Sequence, residues 1–222
     1  MLLWAAKQLV QPMILALVLF GGAGTFQWPA GWLLWGFFVA LQVSIDVILA
    51  RHSPDLVAER SRAVEGHKTW DIPYALAMAF GPFLAVLAAA LSYRAGALPA
   101  PVLWRQLSAL FLMAAGSAFT LWATLVNRFF SGVVRIQTDR GHKVVSTGPY
   151  SWVRHPGYLG AIVYFAGIPL YFWSLWALAV VLMILVSAVV RTRREDETLQ
   201  QELPGYAEYA LRTRFRLLPG IW

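Results

Sequence analysis

Arg191 and Glu195 stand four residues apart in the run RTRREDE (191–197), directly behind an apolar stretch that carries no charge from Gly157 to Val190. At helical spacing the two share a face. A guanidinium there offers a planar fork that matches a carboxylate, and an acid among arginines stays ionised and accepts bonds from a ligand's hydroxyls or amines. The same run also fits a solvated, membrane-flanking helix with an ordinary ion pair. Spacing alone leaves both open. At the other end of the apolar stretch lies GPYSWVRHPGYLG (148–160), where prolines and glycines surround an arginine and a histidine. A backbone fixed in this way exposes amides and carbonyls to a polar ligand. The four histidines, His52, His67, His142 and His155, have no second histidine or carboxylate at metal-ligand spacing, so no metal is expected. Cysteine is absent, which removes thiolate ligands, a cysteine nucleophile and disulfides. No phosphate-binding or dinucleotide-binding glycine loop follows a strand; GGAG (21–24) lies inside an apolar run and reads as helix packing.

These two groups need an element that brings them together. The uncharged segment 157–190 is 34 residues long. As one straight helix it would measure about 51 Å, against a hydrocarbon core of about 30 Å. Pro169, just after Gly167, breaks it about a third of the way along. A helical hairpin with its turn between Pro169 and Ser174 returns both ends to one face of the membrane. Charge supports the hairpin. With a cytoplasmic N-terminus, 16 of the 18 Lys and Arg face the cytoplasm (Lys7, Arg60 and Arg62 among them) and only Arg94 and Arg105 lie outside. A single crossing would send six C-terminal arginines across.

Composition agrees. The 222 residues are 59% hydrophobic and 13% charged, and mean hydropathy is +0.60. A soluble domain carries about 25% charged residues. The net charge of +7 then belongs to a cytoplasmic rim, and no zinc-finger, basic-zipper or RNA-binding signature points to nucleic acid. Apolar runs 9–26, 29–50, 72–93 and 104–126 read as four further spans. The first resembles a signal peptide in part, but its positive charge comes late and its apolar run is long, so a retained span is expected. Asp46 is the one acid inside a span; being near its end, it is as well explained by snorkelling as by function. The expected fold is an all-α membrane protein of about four transmembrane helices plus a C-terminal hairpin, five to six membrane segments in all, with no Rossmann domain. Residues 1–126 form the N-terminal helices, and 127–222 the cofactor-binding and catalytic region.

Residues 127–222 carry a resemblance. NRFFSGVVRIQTDRGHKVVSTGPYSWVRHPGYLG, an apolar hairpin, then RTRREDETLQQELPGYAEYALRTRFRLLPGIW is similar to the isoprenylcysteine carboxyl methyltransferase family. The N-terminal half matches only in hydrophobic pattern. The resemblance implies an integral membrane enzyme that uses S-adenosylmethionine to methylate the carboxylate of a lipid-linked cysteine. By position, His142, Lys143, Val144, Val145, Tyr150, His155, Pro156, Gly157 and Tyr158 would surround the cofactor, Glu195 would hold it from the opposite end of the hairpin, and Arg191 would bind the substrate carboxylate. Two departures stand out. Asp196 replaces a second glutamate, a mild change, and Arg135 stands where relatives carry a neutral contact, so it is given no role. The lipid or lipid-linked substrate would enter sideways from the bilayer, with Ala161, Phe165 and Trp173 as candidates for the path. The active site would face the cytoplasm of a multi-pass protein. Phospholipid amines and small thiols remain alternative acceptors, and an NADPH-dependent sterol-type reductase is a further alternative.

Overall fold

The computed structural model describes residues 2–60 and 66–222, with side chains from residue 9 onward except that of Arg60. Arg62 and the side chains of Lys7 and Arg60, counted above on the cytoplasmic rim, lie outside the described residues. Every regular element described is helical: α1 (Leu2–Ala16), α2 (Pro29–His52), α3 (Pro54–Arg60), α4 (Ile72–Arg94), α5 (Leu103–Val126), α6 (Pro156–Phe172), α7 (Leu175–Glu202) and α8 (Tyr206–Arg212). The protein is an all-α membrane protein. Among the described residues, four helical segments are long and apolar enough to cross a bilayer: Pro29–His52, Thr69–Arg94, Leu103–Val126 and Leu175–Glu202. Leu9–Gly21 and Pro156–Phe172 are shorter apolar helices.

Proline sets the starts. Pro29, Pro73 and Pro156 occupy the first turns of α2, α4 and α6, where a missing N–H costs nothing and φ is already helical. The reversal in the long apolar segment comes later than Pro169. Helix α6 continues through that proline to Phe172, and the chain turns at Trp173 (φ 55°) and Ser174. The Ser174 hydroxyl accepts a bond from the Ala177 amide at 3.2 Å and so caps α7. A hairpin results, and the two ends of the segment meet at one end of the bundle.

Large side chains such as Leu84, Phe111, Leu175 and Met183 are exposed on the outside, as a lipid-facing surface requires. Inside, helices approach through small residues. A Cβ placed on Gly116 of α5 would lie 2.5 Å from the Gly160 carbonyl oxygen and from the Tyr164 nitrogen of α6. On α4, one placed on Gly81 would lie 2.6 Å from Ile184 Cγ1 of α7. One core, holding Leu34, Ala85, Ala89, Met113, Ile168 and Val181, draws on α2, α4, α5, α6 and α7 together. The N-terminal helices therefore grip the hairpin along its length, and fix where its two ends sit.

Candidate active site

At that end of the bundle, the last turns of α5, the 127–155 loop, the start of α6, the end of α7, and α8 enclose a cavity of about 270 Å³. Its wall includes His142, Lys143, Val144, Val145, Tyr150, His155, Pro156, Gly157, Tyr158, Arg191 and Glu195. Every residue singled out from the sequence as a contact of the cofactor or of the substrate carboxylate thus meets in one place. Local chemistry explains how. Gly157 lies against the Phe130 ring, where a Cβ would come within 2.5 Å, so the RHPGY turn seats tightly on the loop. Tyr209 donates to the Tyr150 carbonyl at 2.7 Å, and Asn127 Nδ2 donates to the Tyr150 hydroxyl at 3.1 Å. Burial pushes the Tyr150 phenol well above its usual range, so it stays a neutral hydroxyl.

The loop wall is held from within. Gln137 Nε2 donates to the Phe129 carbonyl at 2.6 Å, and Arg140 donates to Gln137 Oε1 at 2.6 Å. The His142 ring packs on Phe129 and its Nδ1 accepts from the Gln137 amide, which fixes Nε2 as the protonated nitrogen of the neutral ring. Burial, reinforced by Arg135 and Arg140, lowers the His142 pKa to about 4. Among the described residues, the amides of Lys143, Val144 and Val145 make no backbone hydrogen bond, so this stretch offers free polar groups beside the cavity.

Among the described residues, three arginines line the cavity: Arg135, Arg154 and Arg191. Each has an acid. Arg191 uses Nε and Nη2 on the two oxygens of Asp71 at 2.7 and 2.8 Å, and Nη2 also donates to the Gly132 carbonyl at 2.7 Å. The fork that the sequence reading reserved for a substrate carboxylate is therefore taken up by Asp71. Only Nη1, 3.5 Å from the Met78 sulfur, is not engaged with oxygen. Arg135 pairs with Glu59 at 2.9 Å. Arg154 spends Nε and Nη2 on Asp196 at 2.7 and 2.9 Å, and Nη1 on the Thr213 and Arg214 carbonyls. Glu195 accepts a 2.5 Å bond from Tyr158, whose ring lies 5.4 Å from the Arg191 guanidinium.

Asp196 is more than a mild replacement for glutamate. Fully buried, it also accepts from His155, Tyr206, Gln200 and Arg216 at 2.8–3.2 Å. The loop's backbone joins the same tail, since the Arg154 and His155 amides donate to the Phe215 and Arg216 carbonyls. Asp71, Glu59 and the wider role of Asp196 escaped the sequence reading. The one available signal was Asp71 itself, an acid at the edge of an apolar span.

A second cavity, of about 330 Å³, adjoins the first and shares Thr120, Phe130 and Ala161 with it. Phe38, Leu41, Leu49, Leu121 and Phe165 give it an apolar lining between α2 and the α5–α6 pair. Of the three candidates for a lipid path, Ala161 and Phe165 stand here. Trp173 does not: it occupies the hairpin turn at the opposite end of the bundle.

Residues 107–201 match the model of the isoprenylcysteine carboxyl methyltransferase (ICMT) family. The matched region carries all of the site's α6 and α7 residues and the 127–155 loop. A protein-S-isoprenylcysteine O-methyltransferase from Saccharomyces cerevisiae (strain ATCC 204508 / S288c) is 39% identical over 56 residues, which is 25% of this chain. That stretch spans 18% of the yeast protein's length. Asp71 and Glu59, which hold two of the cavity's arginines, lie outside the ICMT-matched region.

Proposed function

We propose that this protein is a membrane methyltransferase that uses S-adenosylmethionine to methylate the carboxylate of a lipid-linked substrate, such as a C-terminal prenylated cysteine, at the cytoplasmic interface. The observation that carries the reading is the meeting of the two ends of the α6–α7 hairpin. Glu195 and Arg191 from α7 face the 142–158 loop across one cavity, and an apolar annex adjoins it between α2 and the α5–α6 pair.

The donor set suits the cofactor. Free amides at 143–145 and the Asn127 and Tyr150 side chains provide polar contacts, the Phe129, Phe130, Tyr206 and Tyr209 rings provide faces for a purine, and Glu195 provides an anion for an ammonium group. Bound there, S-adenosylmethionine supplies an electrophilic methyl group on a sulfonium whose sulfur leaves with the bonding pair. The protein's own part is positioning and exclusion of water. Tyr158 orients Glu195 through their short hydrogen bond. Arg191 Nη1 offers one contact to an acceptor carboxylate and leaves its other oxygen free. Phe130 and the annex hold the apolar part of the substrate, which is costly to expose to water. No residue here is asked to remove a proton, because a carboxylate already carries its nucleophilic pair.

A titration with S-adenosylhomocysteine tests the cofactor, and farnesylcysteine analogues test the acceptor. The free acid is expected to be methylated and its amide not. Equal competition by the amide would refute a carboxylate acceptor. The pairing of Arg191 with Asp71 favours one second reading, a phospholipid amine or small thiol as acceptor, since a neutralised arginine repels an amine less. Methylation of an aminophospholipid or a small thiol, with none of the acid, would establish it.

A further inference from the structure

Asp71 lies in the short turn Thr69–Asp71 that leads into α4, 120 residues from Arg191 in sequence. Its exposure is 1% and that of Arg191 is 5%. The carboxylate grips one edge of the guanidinium with both oxygens, and Oδ2 additionally accepts from the Val134 amide at 2.8 Å. A single acid thus touches the arginine, the 127–155 loop and the entry to a membrane helix. We infer that Asp71 is a positioning residue for the site: it turns Arg191 so that Nη1 alone meets the acceptor, and it cancels the charge that would otherwise hold an acceptor carboxylate by both oxygens. This inference rests on the carboxylate-methylating reading of the site.

The physical argument concerns what an arginine does without its acid. A free guanidinium grips a carboxylate by two parallel hydrogen bonds, which binds tightly but engages both oxygens. An oxygen that donates its pair to a hydrogen bond attacks a methyl group less readily. Binding the ground state more strongly than the transition state lowers KM without helping the chemical step. With Nε and Nη2 committed to Asp71 and Gly132, Arg191 can bond one oxygen, and a second stays available to react. Aspartate reaches this geometry from the turn that leads into α4, outside the ICMT-matched stretch, so the N-terminal half contributes to the chemistry and not only to the bundle.

Asp71→Asn separates this role from a structural one. The amide oxygen still accepts one bond, while the amide nitrogen faces donors on Arg191 or Val134, and the fork is released. Folded protein in detergent should bind S-adenosylhomocysteine within about twofold of wild type. Methylation of farnesylcysteine should show kcat lowered by about tenfold or more, with KM unchanged or lower. Asp71→Glu, which restores a carboxylate, should recover part of kcat. A purely structural contact would instead raise KM and weaken cofactor binding in step with lost stability, and that pattern in both variants would overturn the inference, as would unchanged kcat in Asp71→Asn. Modification of Arg191 by phenylglyoxal, read by peptide mass spectrometry, gives an answer independent of acceptor. It should be several-fold faster in Asp71→Asn, with Arg135 and Arg154 unchanged. Faster labelling with no methylation of the acid by wild type would keep the positioning role and sink the carboxylate acceptor. Unchanged labelling would sink the positioning role itself.

Discussion

Substituting Asp196 by asparagine keeps the shape of the side chain and removes its charge, and the structure shows why that should be costly. Oδ1 accepts from Arg154 Nε, His155 and Tyr206, while Oδ2 accepts from Arg154 Nη2, Gln200 and Arg216. With the amide nitrogen on the Oδ2 side, its NH2 group faces donors on Arg154, Gln200 and Arg216; turned the other way it faces Arg154 Nε, and only the Tyr206 hydroxyl and the His155 ring can turn to accept from it. In either orientation a contact with Arg154 becomes repulsive, and Arg154, with its side chain 6% exposed, is left with no acid among the described residues. Removing one partner of a buried ion pair costs about 3–5 kcal/mol, because the other charge remains buried and uncompensated. Arg216 provides the internal control. Its side chain is 26% exposed, so Arg216→Gln should cost about 1 kcal/mol or less. The assay is thermal unfolding in detergent, together with tryptic cleavage at Arg212 and Arg214, which the clamp holds beside the 148–160 loop. Asp196→Asn should melt well below Arg216→Gln, and its tail should be cut before the bundle unfolds. Melting within about 1 kcal/mol of wild type, with the tail still protected, would refute the view that this carboxylate fastens the tail to the loop.

Glu195→Gln removes a charge-assisted bond worth roughly 1.5–3 kcal/mol, so S-adenosylhomocysteine affinity should fall by about tenfold or more, and unchanged binding by a folded variant would count against the cofactor role. The His142 pKa of about 4 in the fold lies below its ordinary 6.5, so the unfolded chain binds more protons between these values. His142 therefore withdraws stability as pH falls from 6.5 toward 4 and contributes fully above that window; His142→Gln should flatten this part of the melting profile. Gly160→Ala would place a Cβ 2.3 Å from Thr120 Oγ1 and 2.6 Å from the Gly116 carbonyl. Forcing α5 from α6 should cost about 1–3 kcal/mol and lower cofactor affinity, which the same melting and titration would show. Finally, a cysteine placed in the C-terminal tail should react with an impermeant reagent only from the cytoplasmic face of intact vesicles, and labelling only from the outer face would defeat the assigned orientation.

The hairpin was legible because length and charge are local quantities. Thirty-four uncharged residues exceed one bilayer crossing, and the arginines at the far end report which side it returns to. Arg191 and Glu195 were legible for a similar reason, since helical spacing fixes a shared face. What the arginine touches was not. Its acid comes from 120 residues away, and only the packing of α4 on α7 brings the two together. Asp196 looked conservative because sequence counts charge and length, whereas its six donors arrive from the loop, α7, α8 and the tail. The hairpin turn falls inside the expected span from Pro169 to Ser174, at its far end. Proline weakens a helix, but α6 holds through Pro169 because its neighbours pack around it, and the buried Ser174 hydroxyl is free to cap the next helix.

The clamp on Arg154 has a consequence for biosynthesis. Asp196 follows Arg154 by 42 residues and Thr213 follows it by 59. At about 5–20 residues per second, the acid is roughly 2–8 s behind and the tail carbonyls roughly 3–12 s behind. Until then the guanidinium's five donors face water or headgroups, and the loop that becomes the cavity wall has nothing to close against. Helices α1–α5 can insert and pair without it. The cavity is therefore among the last parts of the molecule to form, and a ribosome stalled within α7 would leave a bundle seated in the membrane with its site still open.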